Sequence, residues 1–509
     1  MIGAFLKRRS GLALLVFLFA IVAIGIRLNR LTIWPLSLDE SYSAFGAANS
    51  FDFIWNVLPT YETHPPFYTA LLRVWTLAVG NSLFGLRIFG VLIGLLTLAV
   101  VWFGAIEMAR LSRRSHPGVA FPALTLAAVL PAMVDMTRFV RPYSLLILAY
   151  AVGIWAVLRL TTEHRDSGDL ARRPWFAYLA SLPLLIWLHN LGALYVFALV
   201  LALIVLIGPG ALLRNHWRKF VVGHAIALVA ALPALLLLRD QAGTWVQSTW
   251  LAFNPASLPF YVGLIFGWHG IFGVAAGLCL ASIGLFYIAS TNKSLAGAVL
   301  ILALLPIILS ILISYTIAPV FLVRTLIAST VAMILVMAVG ASAGRLPRAL
   351  LGIWLVFQIV TNIQIQQHAP DQNWYGSARW LAAHMGPQDV VYAYPNEGAL
   401  PLRFALRDLK LDIPIRDIPA GIPAHDRDGW YPTGSRGVQS LTPKRLMEIA
   451  DDKISRATPT IWLLRYNKRL YDKNDIFLGI LTRERTEVSH FLDRDIDIRE
   501  MRLPTSPSH

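Results

Sequence analysis

The sequence has few charged residues and almost no cysteine. Only 14% of its 509 residues are charged, whereas about 25% is usual for a soluble globular chain. Hydrophobic residues make up 56% of the chain, and the mean hydropathy is +0.60. This composition excludes a disordered chain, a coiled coil and a small disulfide-rich domain, and it predicts a polytopic membrane protein. The one cysteine, Cys279, can form no intramolecular disulfide, and its apolar neighbours predict a buried thiol.

Acidic residues are scarce in the first part of the chain. Residues 1–367 contain 10 acidic and 24 basic residues, whereas residues 368–509 contain 19 and 20. The basic residues of the first part stand in short clusters between apolar runs, as in Arg110–Arg114 and Arg214–Lys219. This pattern is typical of the cytoplasmic loops of a membrane protein rather than of a nucleic-acid-binding face. We therefore expect no nucleic-acid partner.

Apolar runs predict about eleven transmembrane helices. The first, Gly11–Ile26, follows a basic segment that begins at Lys7. No small-residue cleavage site comes after it, so we expect an uncleaved helix with a cytoplasmic N-terminus. Hydropathy places the other ten cores at 85–107, 118–134, 143–160, 174–188, 191–208, 220–238, 262–289, 295–315, 325–342 and 349–365. With this odd number of spans, the C-terminus lies on the outer side.

The loop after the first span, residues 29–83, holds four of the ten acids of residues 1–367. Its segment Ser41–Leu58 has the spacing of an amphipathic helix, and Pro65 and Pro66 open a second apolar segment that is short for a span. If the second segment crossed the membrane, the next basic clusters would face outward. The loop is therefore predicted to contain two interfacial helices on the outer surface.

The composition changes at about His368. The segments that follow alternate between helix-like and strand-like patterns, and Pro and Gly separate them. We expect a transmembrane domain over residues 1–367, a small α/β domain on the outer face over residues 368–503, and a disordered tail over residues 504–509.

The outer loop carries the strongest candidates for acid–base chemistry. Asp39 and Glu40 lie in PLSLDESYS, and Glu62 and His64 lie in ETHPP. A carboxylate in such a loop suits a general base that activates a hydroxyl group. His64 stands just before a helix start, where an anionic group binds well. The structural alternatives are an N-cap at Asp39, for a helix that starts near Ser41, and a simple polar turn at Glu62 and His64.

Arginines on the predicted outer side call for an anionic partner. Arg138, Arg141 and Tyr143 lie in the link RFVRPY between two spans, and Arg324 adjoins a late span. Arginine binds phosphate through two parallel hydrogen bonds. The alternatives are arginines that reach lipid headgroups and, at Arg324, a structural ion pair.

Other polar residues interrupt the apolar sequence at the same side. They are Asp135, His189, Asn190 and His269. His189 is as consistent with a structural role as with a functional one. The chain has no GxGxxG fingerprint after a strand, no Walker A motif, no HExxH motif and no cysteine pair. ATP hydrolysis, dinucleotide binding and a thiolate metal site therefore find no support.

Three segments resemble the GT-C superfamily of integral-membrane glycosyltransferases. They are LSLDESYSAFGA, ETHPPFYTALLRVW and TRFVRPYSLLILAY. The bacterial branch of aminoarabinose transferases, protein O-mannosyltransferases and rhizobial galacturonosyltransferases is the most similar. The resemblance implies that Asp39 is catalytic, with Glu40 beside it. We expect Asp39 to be the base, with Glu40 or Glu62 in support. It also implies that His64, Arg141, Tyr143 and Arg324 bind the donor phosphate, and the outer-side position of Arg138 adds this arginine to the same site. Many relatives have an acid or amide where this chain has Phe139, although Asp135 lies one turn away.

The resemblance implies an enzyme of the bacterial inner membrane that transfers a hexosyl or pentosyl group. The donor would be a polyprenyl-phosphate sugar, and the acceptor an unknown hydroxyl or amine of the cell envelope, on the periplasmic side. One in-line displacement would invert the anomeric centre. The relevant branch mostly works without metal, but Asp39 and Glu40 are suitable ligands for Mg²⁺ or Mn²⁺. The alternatives are a transporter or flippase of lipid-linked sugars and a non-enzymatic scaffold.

Overall fold

The computed structural model describes residues 2–248, 251–368, 372–424, 441–472 and 474–504. The helices in these ranges are α1 (Ile2–Leu28), α2 (Leu38–Ala48), α3 (Phe67–Val79), α4 (Leu83–Leu111), α5 (His116–Val129), α6 (Pro131–Arg138), α7 (Tyr143–Ser167), α8 (Arg172–Leu188), α9 (Gly192–Ile207), α10 (Pro209–Asn215), α11 (Trp217–Ser248), α12 (Leu258–Ile265), α13 (Gly270–Thr291), α14 (Lys293–Thr316), α15 (Val323–Leu326), α16 (Thr330–Ala341), α17 (Arg345–Gln367), α18 (Trp374–His384), α19 (Ala399–Leu409), α20 (Pro443–Ala450), α21 (Lys453–Ala457), α22 (Lys468–Tyr471) and α23 (Ile476–Leu481). The strands are β1 (Val390–Tyr394), β2 (Ile415–Asp417), β3 (Thr460–Tyr466), β4 (Thr486–Asp493) and β5 (Ile496–Arg502).

The chain divides into two compact units. The helical unit comprises Met1–Leu31, Arg87–Leu238 and Leu251–Gln367. The mixed unit comprises Thr32–Leu86, Arg239–Trp250 and His368–His509. The first loop, which the sequence places with the membrane domain, thus belongs to the same compact unit as the C-terminal residues.

The helical unit confirms the predicted polytopic helical fold. Among the described residues, seven helices are long and apolar enough to cross a membrane, or nine if each of two bent pairs counts as one span. The predicted count of about eleven also includes α1 and the 17-residue α8. Many large apolar side chains of this unit are exposed, among them Ile271, Phe286 and Val229. Such an apolar surface fits a lipid surrounding and not water.

The same exposure corrects the prediction for Cys279. Its thiol is exposed on α13 and not buried in the protein core. An apolar run predicts an apolar environment, but in a membrane helix the lipid can supply that environment as well as the protein interior does.

Close helix packing stabilises the helical unit, and so do side-chain hydrogen bonds to carbonyl groups that have no donor within their own helix. Gly284 on α13 and Gly340 on α16 lie against each other's helix backbone, and a Cβ on Gly284 would come within 2.0 Å of the Val336 carbonyl oxygen. Small residues at such crossings let two helices approach closely. In α14, Pro306 has no N–H for the carbonyl of Leu302. The hydroxyl of Tyr150 donates to that carbonyl instead, at 2.7 Å.

The mixed unit contains the predicted α/β domain, which is built on one five-stranded sheet. The strand order is β2-β1-β3-β5-β4. Strand β1 is parallel to β2 and β3, whereas β5 is antiparallel to β3 and β4. Every residue of β3 is buried, in agreement with the apolar run TIWLLRY. The core of the domain includes Tyr392, Ile461, Leu463, Phe477 and Met501. Of the predicted tail, only Pro504 lies within the described residues.

The first loop folds into α2 and α3 within the mixed unit. The two helices pack closely, since a Cβ on Gly46 would meet the Thr69 methyl group at 2.8 Å. Helix α3 leaves Val74 and Leu77 exposed, as an interfacial helix would. The predicted helix Ser41–Leu58 is wrong in its bounds. Helix α2 starts earlier, at Leu38, and ends at Ala48, and a π-helical turn follows at Phe53–Val57.

Candidate active site

Asp39 and Glu40 lie in the first turn of α2 and have different surroundings. The N-cap is Ser37, whose Oγ accepts a hydrogen bond from the Glu40 N–H. In return, Glu40 Oε2 accepts a hydrogen bond from the Ser37 N–H at 3.0 Å, which completes a capping box. The expected cap at Asp39, for a helix that starts near Ser41, is therefore wrong. Glu40 is buried and holds the helix start, whereas Asp39 is half-buried.

Glu62 and His64 form a hydrogen-bonded pair in the turn before α3. The Nδ1 atom of His64 lies 2.8 Å from Glu62 Oε1, and the His64 N–H donates to the same oxygen at 3.3 Å. The carboxylate thereby sets the orientation of the imidazole, and Nε2 is the ring nitrogen on the other side. Pro65 and Pro66 then lead into α3.

Gln241 holds this turn in place, although the sequence offered no signal for it. Its Nε2 donates to the carbonyl oxygens of Pro59 at 2.6 Å and of Glu62 at 2.9 Å. Gln241 is buried and belongs to the mixed unit, like Glu62. One buried amide therefore fixes the backbone on both sides of the turn.

Tyr143 is the centre of a cluster of predicted site residues in the helical unit. Its ring lies 6.1 Å from the His189 ring and 6.5 Å from the Phe139 ring. The guanidinium carbon of Arg324 lies 5.9 Å from the Tyr143 ring centroid, which is within the range of a cation–π interaction. This tyrosine at the start of α7 is therefore close to the end of α8, to the link before α7 and to the short helix α15.

The two arginines before Tyr143 differ in exposure. Arg141 is buried, and its N–H donates to the Phe139 carbonyl at 2.8 Å, which makes a tight turn. Arg138 is half-buried and ends α6, where a cation interacts favourably with the helix dipole. A buried guanidinium is costly unless anionic or polar groups surround it. Arg141 therefore has the surroundings of a binding or structural group, not of an arginine that extends to lipid headgroups.

His189 has a structural role that the sequence left open. Its Nδ1 accepts a hydrogen bond from the Leu191 N–H at 3.0 Å, which closes the turn between α8 and α9. Gly192 completes this turn, because a Cβ there would come within 2.0 Å of the Leu185 carbonyl oxygen. Asn190 lies between them and is half-buried. The turn places the His189 ring beside Tyr143.

Arg27 and Asn362 support the bend that precedes Asp135 and Arg138, and sequence reasoning missed both. Helices α5 and α6 meet at an angle of 55°, where Pro131 has no N–H for the carbonyl of Ala127. Arg27 is fully buried on α1 and donates to the carbonyls of Ala128 at 2.8 Å and Ala127 at 3.5 Å.

Asn362 of α17 donates to the next carbonyl, Val129, at 2.7 Å. The bend leaves three carbonyl groups without hydrogen-bond donors from the helix itself. Two side chains from other helices donate to these carbonyl groups instead.

Asp135 and His269 are the remaining predicted site residues. Asp135 is exposed on α6, one turn before Arg138. His269 directly precedes α13, and burial lowers the pKa of its imidazole. The neutral ring is therefore favoured at neutral pH, which does not help it to bind an anion.

The described residues contain no group of three or more His, Cys, Asp or Glu side chains that could hold a metal ion. At Asp39 and Glu40, one oxygen of Glu40 already accepts the capping hydrogen bond from Ser37. This donor set fits Mg²⁺ or Mn²⁺ poorly, because both ions prefer several oxygen ligands that point inward together.

No protein-family model and no curated protein sequence matches the chain. Several solved structures are similar to it over nearly its whole length, among them ArnT and an archaeal oligosaccharyltransferase. ArnT from Cupriavidus metallidurans, in the apo state, matches with a TM-score of 0.64 and 14% identity over 95% of this chain and 97% of ArnT. The oligosaccharyltransferase AglB from Archaeoglobus fulgidus, in complex with an inhibitory peptide and a dolichol-phosphate, matches with a TM-score of 0.51 and 11% identity over 97% of this chain and 74% of AglB. The chain therefore has the fold of the GT-C membrane glycosyltransferases, as the resemblance in its sequence implied.

Proposed function

We propose that this protein is a glycosyltransferase that moves one hexosyl or pentosyl group from a polyprenyl-phosphate donor to an envelope acceptor. The observation that carries the proposal is the cluster of Arg324 and His189 around Tyr143, two residues after the buried Arg141, in a chain with the GT-C fold. The AglB structure holds a dolichol-phosphate, which is a lipid-linked phosphate of the same chemical class.

Arg141, Arg324 and Arg138 are assigned to the donor phosphate. A glycosyl lipid phosphate carries one negative charge, and the lipid phosphate that departs carries up to two. Guanidinium groups stabilise this additional charge most strongly when they are fixed before the reaction. Arg141 meets this requirement, because it is buried in a tight turn. Tyr143 has a hydroxyl group that can donate a further hydrogen bond to the anion.

Asp39 is assigned as the general base. It takes the proton of the acceptor hydroxyl or amine while the acceptor atom attacks the anomeric carbon. The bond from that carbon to the phosphate oxygen breaks, and the lipid phosphate leaves. Phosphate is a good leaving group, so this step needs no strong general acid. One in-line displacement inverts the anomeric centre.

Glu62 and His64 are assigned to the donor as a pair. The hydrogen bond to Glu62 orients the imidazole and adds a negative charge beside it. A positive imidazole is stabilised by such a neighbour and can contact the phosphate through Nε2. Glu40 is assigned to holding the start of α2 and not to chemistry, because its carboxylate closes the capping box.

The reaction is proposed to take place on the periplasmic side of the bacterial inner membrane. The basic clusters between the apolar runs support this orientation. The N-terminus and the loop at Ser167 would then face the cytoplasm, and the C-terminal domain would face outward. The multi-pass membrane character itself follows from the apolar helices and the fold.

The test is product formation by the purified protein. The protein in detergent is given a lipid-phosphate sugar with a radiolabelled sugar and a mixture of envelope acceptors. We expect a labelled glycoside of inverted anomeric configuration. If no glycoside forms, and the same protein in liposomes moves the labelled lipid between leaflets, the protein is a flippase instead.

A further inference from the structure

The carboxyl edge of the sheet in the mixed unit is where α/β domains usually bind a ligand. In an open sheet with neighbouring parallel strands in the order β2-β1-β3, the crevice lies beyond the carboxyl ends of β1 and β3. Glu397 follows β1, and Tyr466 ends β3. Both side chains are buried.

Helix α2 of the first loop reaches this edge. The hydroxyl of Tyr42 on α2 donates to Glu397 Oε1 at 2.5 Å. Tyr42 follows Asp39 by three residues, so the two side chains are neighbours on one face of the helix. The face of α2 that carries the proposed base is therefore the face that meets the sheet edge.

Gln372 connects the start of α2 to the same edge. Its Oε1 accepts hydrogen bonds from the Leu38 N–H at 2.8 Å and from Trp374 Nε1 at 3.2 Å. Its Nε2 donates to the Tyr466 hydroxyl oxygen at 2.8 Å. Leu38 is the first residue of α2, and its N–H has no acceptor within the helix. Gln372 thus completes the cap that Ser37 begins.

The negative charge of Asp39 also acts on the phenol of Tyr466. Burial raises the pKa of the Tyr466 phenol above its ordinary value, and the negative charge of Asp39 adds to this effect. This interaction agrees with the hydrogen bonds of Tyr42 and Gln372, which bring the start of α2 to the carboxyl ends of β1 and β3.

We propose that Gln372, Glu397 and Tyr466 are positioning residues for Asp39. The crevice that would bind a ligand in a free α/β domain is used here to hold the helix that carries the base. The C-terminal domain is then a part of the catalytic machinery and not only a surface for the acceptor. This inference rests on the proposed glycosyl transfer.

Loss of these contacts affects the chemical step more than donor binding. A base that is displaced by about 1 Å can cost a hundredfold in rate. The donor phosphate is assigned to other residues, namely the arginines of the helical unit and the Glu62–His64 pair before α3, so we expect donor binding to be kept when Gln372 is replaced. We therefore expect Gln372→Ala and Tyr466→Phe to lower kcat about tenfold with an unchanged KM for the donor.

The experiment compares these variants with Tyr394→Phe in the full-length protein. Tyr394 is also a buried tyrosine of the sheet, but its hydroxyl accepts a hydrogen bond from the Leu441 N–H, in the core of the domain. We expect Tyr394→Phe to keep normal kcat. Each substitution is also combined with Asp39→Asn, where the additional loss should fall below about twofold, because a residue that positions Asp39 has no effect once the base is gone.

A second pair of variants tests Glu397 by rescue. Glu397→Ala removes the acceptor for the Tyr42 hydroxyl and should lower kcat, whereas Glu397→Gln keeps an oxygen acceptor there and should restore most of it. This pair, like Tyr466→Phe, keeps the proposal testable if Gln372→Ala does not fold.

Two results would overturn the inference. One is an equal loss in the wild-type and Asp39→Asn backgrounds, and the other is normal kcat in Tyr466→Phe and Glu397→Ala. With an active wild-type protein, either result removes only the role of the C-terminal domain. A wild-type protein that forms no glycoside would instead overturn the proposed function, and this inference with it.

Discussion

Glu62 and His64 share a hydrogen bond of 2.8 Å between Oε1 and Nδ1, and Glu62 is buried whereas His64 is half-buried. This contact decides between two roles for Glu62. A carboxylate that acts as a base must reach the acceptor, whereas a carboxylate that orients an imidazole acts through the ring. The observed geometry favours the second role.

We therefore predict that His64→Ala and Glu62→Gln raise the donor KM and leave kcat nearly unchanged. The loss of one charge-assisted hydrogen bond costs about 1.5–3 kcal/mol, so His64→Ala should raise KM by roughly tenfold or more. Glu62→Gln should have a smaller effect in the same direction, and none when His64 is already alanine. Steady-state kinetics over a range of donor concentrations measure this. A fall in kcat with normal KM in Glu62→Gln would make Glu62 a base.

The neighbours Asp39 and Glu40 allow a matched comparison. Asp39→Asn keeps the shape of the side chain but removes the base, so we expect kcat to fall by about a hundredfold or more. Glu40→Gln still presents an oxygen to the Ser37 N–H, so the capping box survives and kcat should stay within a few-fold of normal. Turnover of both variants under donor saturation measures the difference. Near-normal turnover in Asp39→Asn together with an inactive Glu40→Gln would exchange the two roles.

The sequence was sufficient to predict elements with a regular apolar pattern. The strand TIWLLRY appears as β3, and the apolar run after Pro66 appears as α3. The start of α2 was misplaced, because SLDESYS permits more than one capping residue and only the backbone geometry selects Ser37.

The supporting residues Arg27, Gln241 and Gln372 could not be predicted. Each is one polar residue that bonds to backbone groups far away in the sequence, such as Arg27 to Ala128 and Gln241 to Pro59. A local pattern carries no record of such contacts. The position of Arg27 at the end of an apolar run is visible in the sequence, but the carbonyl groups that it contacts are not.

Arg27 should contribute to stability and not directly to chemistry. Arg27→Met keeps the length of the side chain but leaves the carbonyls of Ala127 and Ala128 without these donors at the α5–α6 bend. Each unsatisfied buried carbonyl costs about 1–3 kcal/mol. We expect a clearly lower Tm in detergent, and no change in the control Arg348→Met, whose side chain is exposed. Equal Tm values for the two variants would show that the bend needs no support from Arg27.

The orientation in the membrane can be tested with single cysteines. Cys279 is exposed, so it is first replaced in Cys279→Ser. Thr482→Cys and Ser167→Cys then place thiols at exposed positions of the C-terminal domain and of the end of α7. We expect a membrane-impermeant maleimide to label the first in spheroplasts and the second only after permeabilisation. The opposite pattern would place the first loop in the cytoplasm and contradict a periplasmic reaction.

Replacement of Arg141 by lysine distinguishes a phosphate-binding arginine from a purely structural cation. A structural cation should tolerate lysine, because a point charge in the same place is enough. A phosphate site that uses both parallel donors of the guanidinium should not, because lysine cannot present that pair. Loss of one of two charge-assisted hydrogen bonds costs about 1.5–3 kcal/mol, or roughly ten- to a hundredfold.

We therefore predict that Arg141→Lys weakens the use of the lipid-phosphate donor by that factor, with little change in expression or Tm. The measurement is the donor-concentration dependence of transfer for the wild type and for Arg141→Lys. Arg113→Lys is the control, because Arg113 is exposed and belongs to a basic cluster on the predicted cytoplasmic side. Superimposable curves for all three proteins would leave Arg141 as a structural residue of the tight turn before α7. The donor phosphate would then have to be bound by Arg324 and His64, and Arg324→Lys should show the loss that Arg141→Lys did not.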